Sequence, residues 1–212
     1  MKKILMISFL AAVAFAGCKK KFSTISKEVT VSYPTITFTG SQYISIPVGG
    51  TVPNASATAY DSTLHETETV LDSGSVDVTT PGLYVRTAYA KNSNGYYASV
   101  SVYVAVTNIS ASVDMSGPYQ RQSNKVIVNV TKLATGLFMT DNIGGVAPPS
   151  AFVIPGIFVV VDDTTMILPN QNSPQGPIGT SNNTLNLNVP ITYSYVVQNA
   201  NFGLAQRVFV HQ

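Results

Sequence analysis

From residue 30 onward the apolar residues of this 212-residue chain come in short alternating runs, each cut off by Pro, Gly, Asn or Asp. Alternation over four to eight residues puts every second side chain on one face of a pleated strand, and the interrupting residues supply the turns. Residues 35–39, 43–46, 55–60, 69–71 and 75–78 read as strands, punctuated by Pro34, Pro47, Gly49-Gly50 and Pro53. Further strands are expected at 125–132, 136–140, 152–161, 165–168, 184–189, 192–198 and 204–210. The composition agrees, because Val, Thr, Ser, Asn and Tyr suit half-buried pleated surfaces and turns. The chain is therefore expected to be all-β.

Asn94-Gly95 predicts a two-residue type I′ hairpin, since both residue types accept the positive φ angles that this turn needs. Ser93 then lies opposite Tyr96, and the ladder continues as Tyr89 with Val100, Thr87 with Val102, Val85 with Val104 and Leu83 with Val106. That register places these pairs on a core face. Tyr97, Ser99, Ser101 and Tyr103 fall on a wet face, with Arg86 across from Tyr103 and Ala88 across from Ser101.

Val48-Gly49-Gly50-Thr51, Ala57-Thr58-Ala59-Tyr60-Asp61, Val76-Asp77-Val78-Thr79-Thr80-Pro81-Gly82-Leu83-Tyr84 and the Asn94-Gly95 hairpin together resemble the bacterial immunoglobulin-like, hyalin-repeat-type domain. The resemblance covers about residues 33–107. It implies a seven-stranded sandwich used as a spacer or adhesion module, without catalytic residues. Lys91 replaces an acidic residue common in that family before the hairpin.

Residues 108–115 read as a linker, and a second β-domain follows over 116–212. The fold expected is thus an N-terminal immunoglobulin-like sandwich followed by a second antiparallel β-sandwich or barrel-like domain. Within that second domain, Thr135-Gly136-Leu137-Phe138-Met139-Thr140-Asp141-Asn142-Ile143-Gly144-Gly145 is similar to a Gly-x-Tyr-x-x-Ser-Asp-x-x-Gly-Gly segment of Bacteroidota lipoproteins, with Phe138 and Thr140 in place of its Tyr and Ser. Such lipoproteins are often encoded beside starch-utilisation-type glycan importers, so the resemblance implies an accessory role in glycan uptake.

The N-terminus carries a matching signal. Lys2 and Lys3 precede an apolar run too short to span a bilayer, and Ala14-Phe15-Ala16-Gly17 leads into Cys18, the single cysteine of the chain. This resembles a lipoprotein signal peptide over residues 1–17. It implies lipidation at Cys18, a polar tether over 18–29, and anchoring to the outer membrane at its surface or periplasmic face. The alternative is an ordinary secretory leader with an incidental cysteine. Lys19, Lys20 and Lys21 speak against surface display, because exported relatives often carry acidic residues there.

Charge removes one class of partner. Five of the 12 basic residues stand in the first 21 positions, leaving 7 against 10 acidic ones in the rest of the chain. Phosphate backbones need a basic excess, so no nucleic-acid partner is expected. One cysteine excludes a disulfide framework and a thiolate zinc site.

Nor does any residue set point to catalysis. There is no Gly-x-Ser-x-Gly elbow, no glycine-rich phosphate loop, and only two histidines, His65 and His211, the second at an end expected to fray. His65-Glu66-Thr67-Glu68 supplies too few converging ligands for zinc. Asp61, Asp72 and Asp77 read as turn formers, with calcium as the alternative. Asp114, Asp141, Asp162 and Asp163 also sit where turn residues are expected, rather than as a glycosidase pair. The expectation is a non-enzyme with no cofactor and no metal.

Binding is the better class. Sugar rings stack their C–H faces on aromatics while their hydroxyls pair with amides. Tyr193 and Tyr195 share a face of one strand, and with Phe138, Asn170, Asn172 and Gln175 they form the candidate ligand site; the alternative for each ring is the core. The partners expected are the membrane through the lipid anchor, a glycan ligand, and an outer-membrane importer or sister lipoprotein. The rival expectation is a structural or protein-interaction subunit without its own ligand.

Overall fold

The computed structural model describes residues 30–54 and 56–212, so the expected signal peptide, Cys18 and the tether lie outside the described residues. The described chain is all-β, with a single 3-10 turn at Ala200–Phe202.

Seven strands build its N-terminal part. β1 (Thr35–Phe38), β3 (Ala57–Asp61) and β4 (Glu66–Glu68) form one sheet in the order β1-β3-β4. β2 (Tyr43–Ile46), β5 (Leu71–Ser73), β6 (Gly82–Lys91) and β7 (Tyr97–Val106) form the other, in the order β2-β7-β6-β5, with β2 parallel to β7. Ile46, Ala88, Val102, Val104 and Val106 make the core of this sandwich, with Phe38, Val76, Val78 and Tyr84 packed against it. At the start of β6 the Tyr84 hydroxyl donates to the Thr80 carbonyl at 2.9 Å, a corner that ties the turn to the strand. The run at 75–78 is no strand. The Asp77 carboxylate takes the Thr79 amide at 2.9 Å and hydroxyl at 2.6 Å, which curls the chain, while Val76 and Val78 still reach the core.

The hairpin register differs from the expected one by a single residue. The last pair is Lys91 with Tyr97, and the ladder runs through Tyr89 with Ser99, Thr87 with Ser101 and Val85 with Tyr103. Asn92 is the cause. Its amide donates to the Tyr96 carbonyl and its Oδ1 accepts from the Tyr96 amide, both at 2.9 Å, while Gly95 takes φ +91°. The loop is therefore residues 92–96, and the extra residue turns β6 over. β7 keeps Val102, Val104 and Val106 inward as expected, but their partners are now Arg86, Tyr84 and Gly82 instead of Thr87, Val85 and Leu83, and Tyr84 and Ala88 are the β6 side chains that join the core.

The other eight strands form one antiparallel sheet. They are β8 (Gly117–Arg121), β9 (Ile127–Ala134), β10 (Leu137–Thr140), β11 (Gly156–Val160), β12 (Met166–Ile167), β13 (Gly179–Asn186), β14 (Thr192–Gln198) and β15 (Gln206–His211), in the order β12-β11-β10-β9-β8-β15-β14-β13. The sheet curls until its ends nearly meet. Leu185 donates its amide to Thr164 at 3.1 Å, Thr180 donates to Leu168 at 3.2 Å, and the Asn183 side-chain amide reaches Met166 at 3.2 Å. The result is a nearly closed barrel. Its interior holds Tyr119, Phe138, Phe158, Tyr193, Tyr195 and Phe209, each burial contributing about 1.5–3 kcal/mol. His211 does not fray. It pairs with Tyr119 in the ladder, and the two rings meet edge-on at 4.9 Å.

Sandwich and barrel share a core. Leu83 and Ala105 from the outer face of β6 and β7 pack with Leu137, Ile157 and Val159 from the outer face of the barrel, and Ser32–Gln212 is one compact unit. The segment expected as a linker is held down as well, by Lys132 Nζ on the Ala111 and Val113 carbonyls at 2.9 and 2.8 Å, while Met115 is fully buried in the barrel.

Candidate functional site

A cleft of about 420 Å³ opens where the loop after β12 overhangs the outer face of the sandwich. Val85, Ser101 and Tyr103 form its floor, Pro155 and Ile157 one wall, and Asn170, Gln171 and Asn172 the overhang. The turned-over register of β6 is what brings Val85 beside Tyr103 on this face.

Gln171 fixes the overhang. Its Oε1 accepts from the Ile157 amide at 2.9 Å and its Nε2 donates to the Ile157 carbonyl at 2.6 Å, so the side chain stands in for a neighbouring strand. Its backbone exchanges two 2.8 Å bonds with Ile178. Asn170 and Asn172 flank this anchor, both exposed, and among the described residues neither side-chain amide has a hydrogen-bond partner. Asn172 offers two N–H donors and a carbonyl acceptor, and Asn170, whose Oδ1 packs against Gly179, offers its N–H donors, in the cleft that Tyr103 and Ser101 also line. Tyr103 is itself held in place by stacking on Tyr43, with ring centroids 5.7 Å apart. No charged side chain lines the cleft. Such a lining suits a neutral, hydroxyl-rich ligand and offers nothing to neutralise a phosphate.

The expected aromatic platform lies elsewhere. Tyr193, Tyr195 and Phe138 point into the barrel and are fully buried, at 1%, 0% and 0% exposure. Tyr193 stacks on Phe209 at 4.9 Å, Phe138 stacks on Phe158 at 5.7 Å, and the Tyr195 hydroxyl donates to the Ile143 carbonyl at 2.9 Å. Burial pushes the Tyr193 and Tyr195 phenols well above their ordinary range. β14 lies between β13 and β15, so its inward rings are sealed on both sides. Gln175 stands apart from the cleft: its carbonyl accepts from Asn199 at 3.1 Å and its side chain reaches Ala151. Of the expected site residues, the fold brings Asn170 and Asn172 together and separates the other four from them. Val85, Ser101, Pro155 and Ile157 were not expected at a site, and Tyr103 was placed only on the wet face; the docking of barrel on sandwich, which no local pattern encodes, assembles them.

The acidic residues serve turns and pins. Asp61, 1% exposed, accepts from Asn92 at 2.7 Å, Ser32 at 2.8 Å and the Thr63 and Leu64 amides. Burial would raise its pKa, but these donors outweigh burial and hold it below the usual carboxylate value. Asp72 pairs with Arg86 at 2.7 Å. Asp162 caps Thr164, Asp114 accepts from the Ser116 amide, and Asp141 holds Asn129. Among the described residues no three His, Cys, Asp or Glu side chains gather to hold a metal, and no helix is long and apolar enough to cross a membrane.

No family model and no curated protein matches the chain. A similar solved structure is that of the lipoprotein BT2262 from Bacteroides thetaiotaomicron, 22% identical, with a TM-score of 0.41 over 84% of this chain and 100% of that one.

Proposed function

We propose that this protein is a lipid-anchored, non-catalytic envelope protein that captures an oligosaccharide or polysaccharide in the cleft between sandwich and barrel, as an accessory to glycan uptake. The observation that carries the reading is the pair of unpartnered amides, Asn170 and Asn172, held by Gln171 over Tyr103 and Ser101. Amides beside an aromatic ring, with no charge in the lining, are the groups a sugar needs. Anchoring at Cys18 to the outer membrane rests on the Ala14–Gly17 run before the single cysteine. The test is binding of the full chain to a broad polysaccharide panel, with Asn172→Ala and Tyr103→Ala as cleft variants. Saturable binding that both variants weaken supports the capture role. Binding that neither changes removes the cleft.

The rival reading, a protein-interaction subunit, is favoured by one observation. Tyr97, Leu71 and Val85 stand 66%, 50% and 43% exposed on the same sheet face. Crosslinking in the native membrane to an importer or sister lipoprotein through that face, with silence on the glycan panel, would select it.

A further inference from the structure

The cleft is one end of a longer surface. Among the described residues, Tyr43, Leu83, Tyr103 and Ala105 on the outer face of the four-stranded sheet pack into the cluster shared with the barrel, and the overhang reaches over Val85 and Ser101. Beyond the overhang the same face continues through Thr87 and the pairs Tyr89 with Ser99 and Lys91 with Tyr97. A second hollow lies at the hairpin end, lined by Thr87, Tyr89, Lys91, Gly95, Tyr97 and Ser99. Both hollows therefore sit on one row of alternating residues. From Tyr97 to Tyr103 the strand rises about 20 Å at roughly 3.3 Å per residue. Between these two ends the lining is Thr87, Ser99 and Ser101 with the Tyr89 ring beside them.

Lys91 supplies the one charge of this track. Its side chain is exposed beside Tyr97, and among the described residues it has neither a carboxylate nor a hydrogen-bond partner. The Arg86–Asp72 pair lies at neighbouring positions of the other alternation, and no acid is among the residues that line the two hollows. An aromatic ring with an unpaired ammonium next to it suits a sugar that carries a carboxylate, and the ammonium disfavours a cationic partner.

We infer that the site takes an extended internal stretch of an acidic polysaccharide, lying along β6 and β7 from the Asn170–Asn172 overhang to the hairpin, with a uronate carboxylate at Lys91 and its ring on Tyr97. This inference rests on the glycan-capture reading and adds the ligand's charge and length.

The test titrates the full chain with polygalacturonate, alginate and hyaluronate, each beside its carboxyl-reduced counterpart, and with the disaccharide and octasaccharide of whichever polymer binds. The expected result is that one acidic polymer binds and its reduced form binds several-fold more weakly. Lys91→Gln should cost the acidic polymer roughly two- to fivefold and leave the reduced form unchanged. Tyr97→Ala should cost both roughly three- to tenfold, and the octasaccharide should outbind the disaccharide. Equal binding of acidic and reduced forms, with Lys91→Gln silent and Asn172→Ala weakening both, overturns the acidic ligand and leaves glycan capture standing. A disaccharide as tight as the octasaccharide overturns the extended track. Silence of all three polymers beside a neutral glycan that binds overturns the inference alone, and silence of every glycan overturns both readings.

Discussion

Single carboxylates and hydroxyls hold the corners of this fold. Asp77 is the clearest case: the Thr79 hydroxyl, then Thr80 and the Thr79 amide, outweigh burial and bring its pKa from 3.8 down to about 2. A carboxylate depressed in the native state stabilises above its unfolded pKa and loses that contribution as pH falls through the folded value. The window here is about pH 4 to 2. Asp77→Asn should therefore flatten the fall of Tm between pH 4 and 2, measured by circular dichroism, with little change in slope at neutral pH. Tyr195 gives a second prediction. Tyr195→Phe leaves the buried Ile143 carbonyl without its 2.9 Å donor and should cost about 1–3 kcal/mol in urea unfolding. At this scale the sequence was partly legible. Turn roles for Asp77, Asp114 and Asp162 follow from residue type and neighbours, whereas a Tyr on a strand looks the same whether its ring faces solvent or core. Only the curl of the barrel decides that for Tyr193 and Tyr195.

Among the elements, the glycine pair after β10 closes one end of the barrel. The Gly144 carbonyl accepts from Arg121 and Arg207, both at 3.1 Å, and Gly145 takes φ +53°. A Cβ on Gly145 would stand 2.6 Å from Arg121 Cδ and 3.0 Å from Phe209 Cε1, so backbone strain and overpacking act together. Gly145→Ala should destabilise by about 1–3 kcal/mol, read as a shifted urea midpoint with an unchanged slope. Arg207 is 3% exposed and spends its donors on the Gly144, Ala205 and Phe202 carbonyls, so it joins that turn to the loop before β15. Strand positions such as 43–46 and 192–198 were readable because alternation alone marks them. The β6–β7 register was not, because Asn92 enlarges the loop through its own side chain, and one extra residue inverts the partner strand.

For the molecule as a whole, the buried cluster of Leu83, Ala105, Leu137, Ile157 and Val159 couples sandwich to barrel. Unfolding should be a single calorimetric transition. Val159→Ala should lower it by about 1–3 kcal/mol, the range for removing buried methyl groups. Ala105→Asp, placing an unpaired charge in that cluster, should split the transition in two. Seeing two transitions in the unaltered chain would show the two parts to be independent. Docking also makes the cleft, which is why its floor and wall could not be read from either half alone.

The parallel pairing of β2 with β7 has a mechanical consequence. A load that pulls β2 from its Tyr43 end and β7 from its Val106 end acts at opposite ends of the paired stretch. The bonds between them, from Tyr103 to Gln42 at 2.9 Å through Thr107 to Ile46 at 3.0 Å, are then pulled along the strand axis and share the force, instead of opening one after another. A sandwich loaded across these two strands would resist as a clamp rather than a zip.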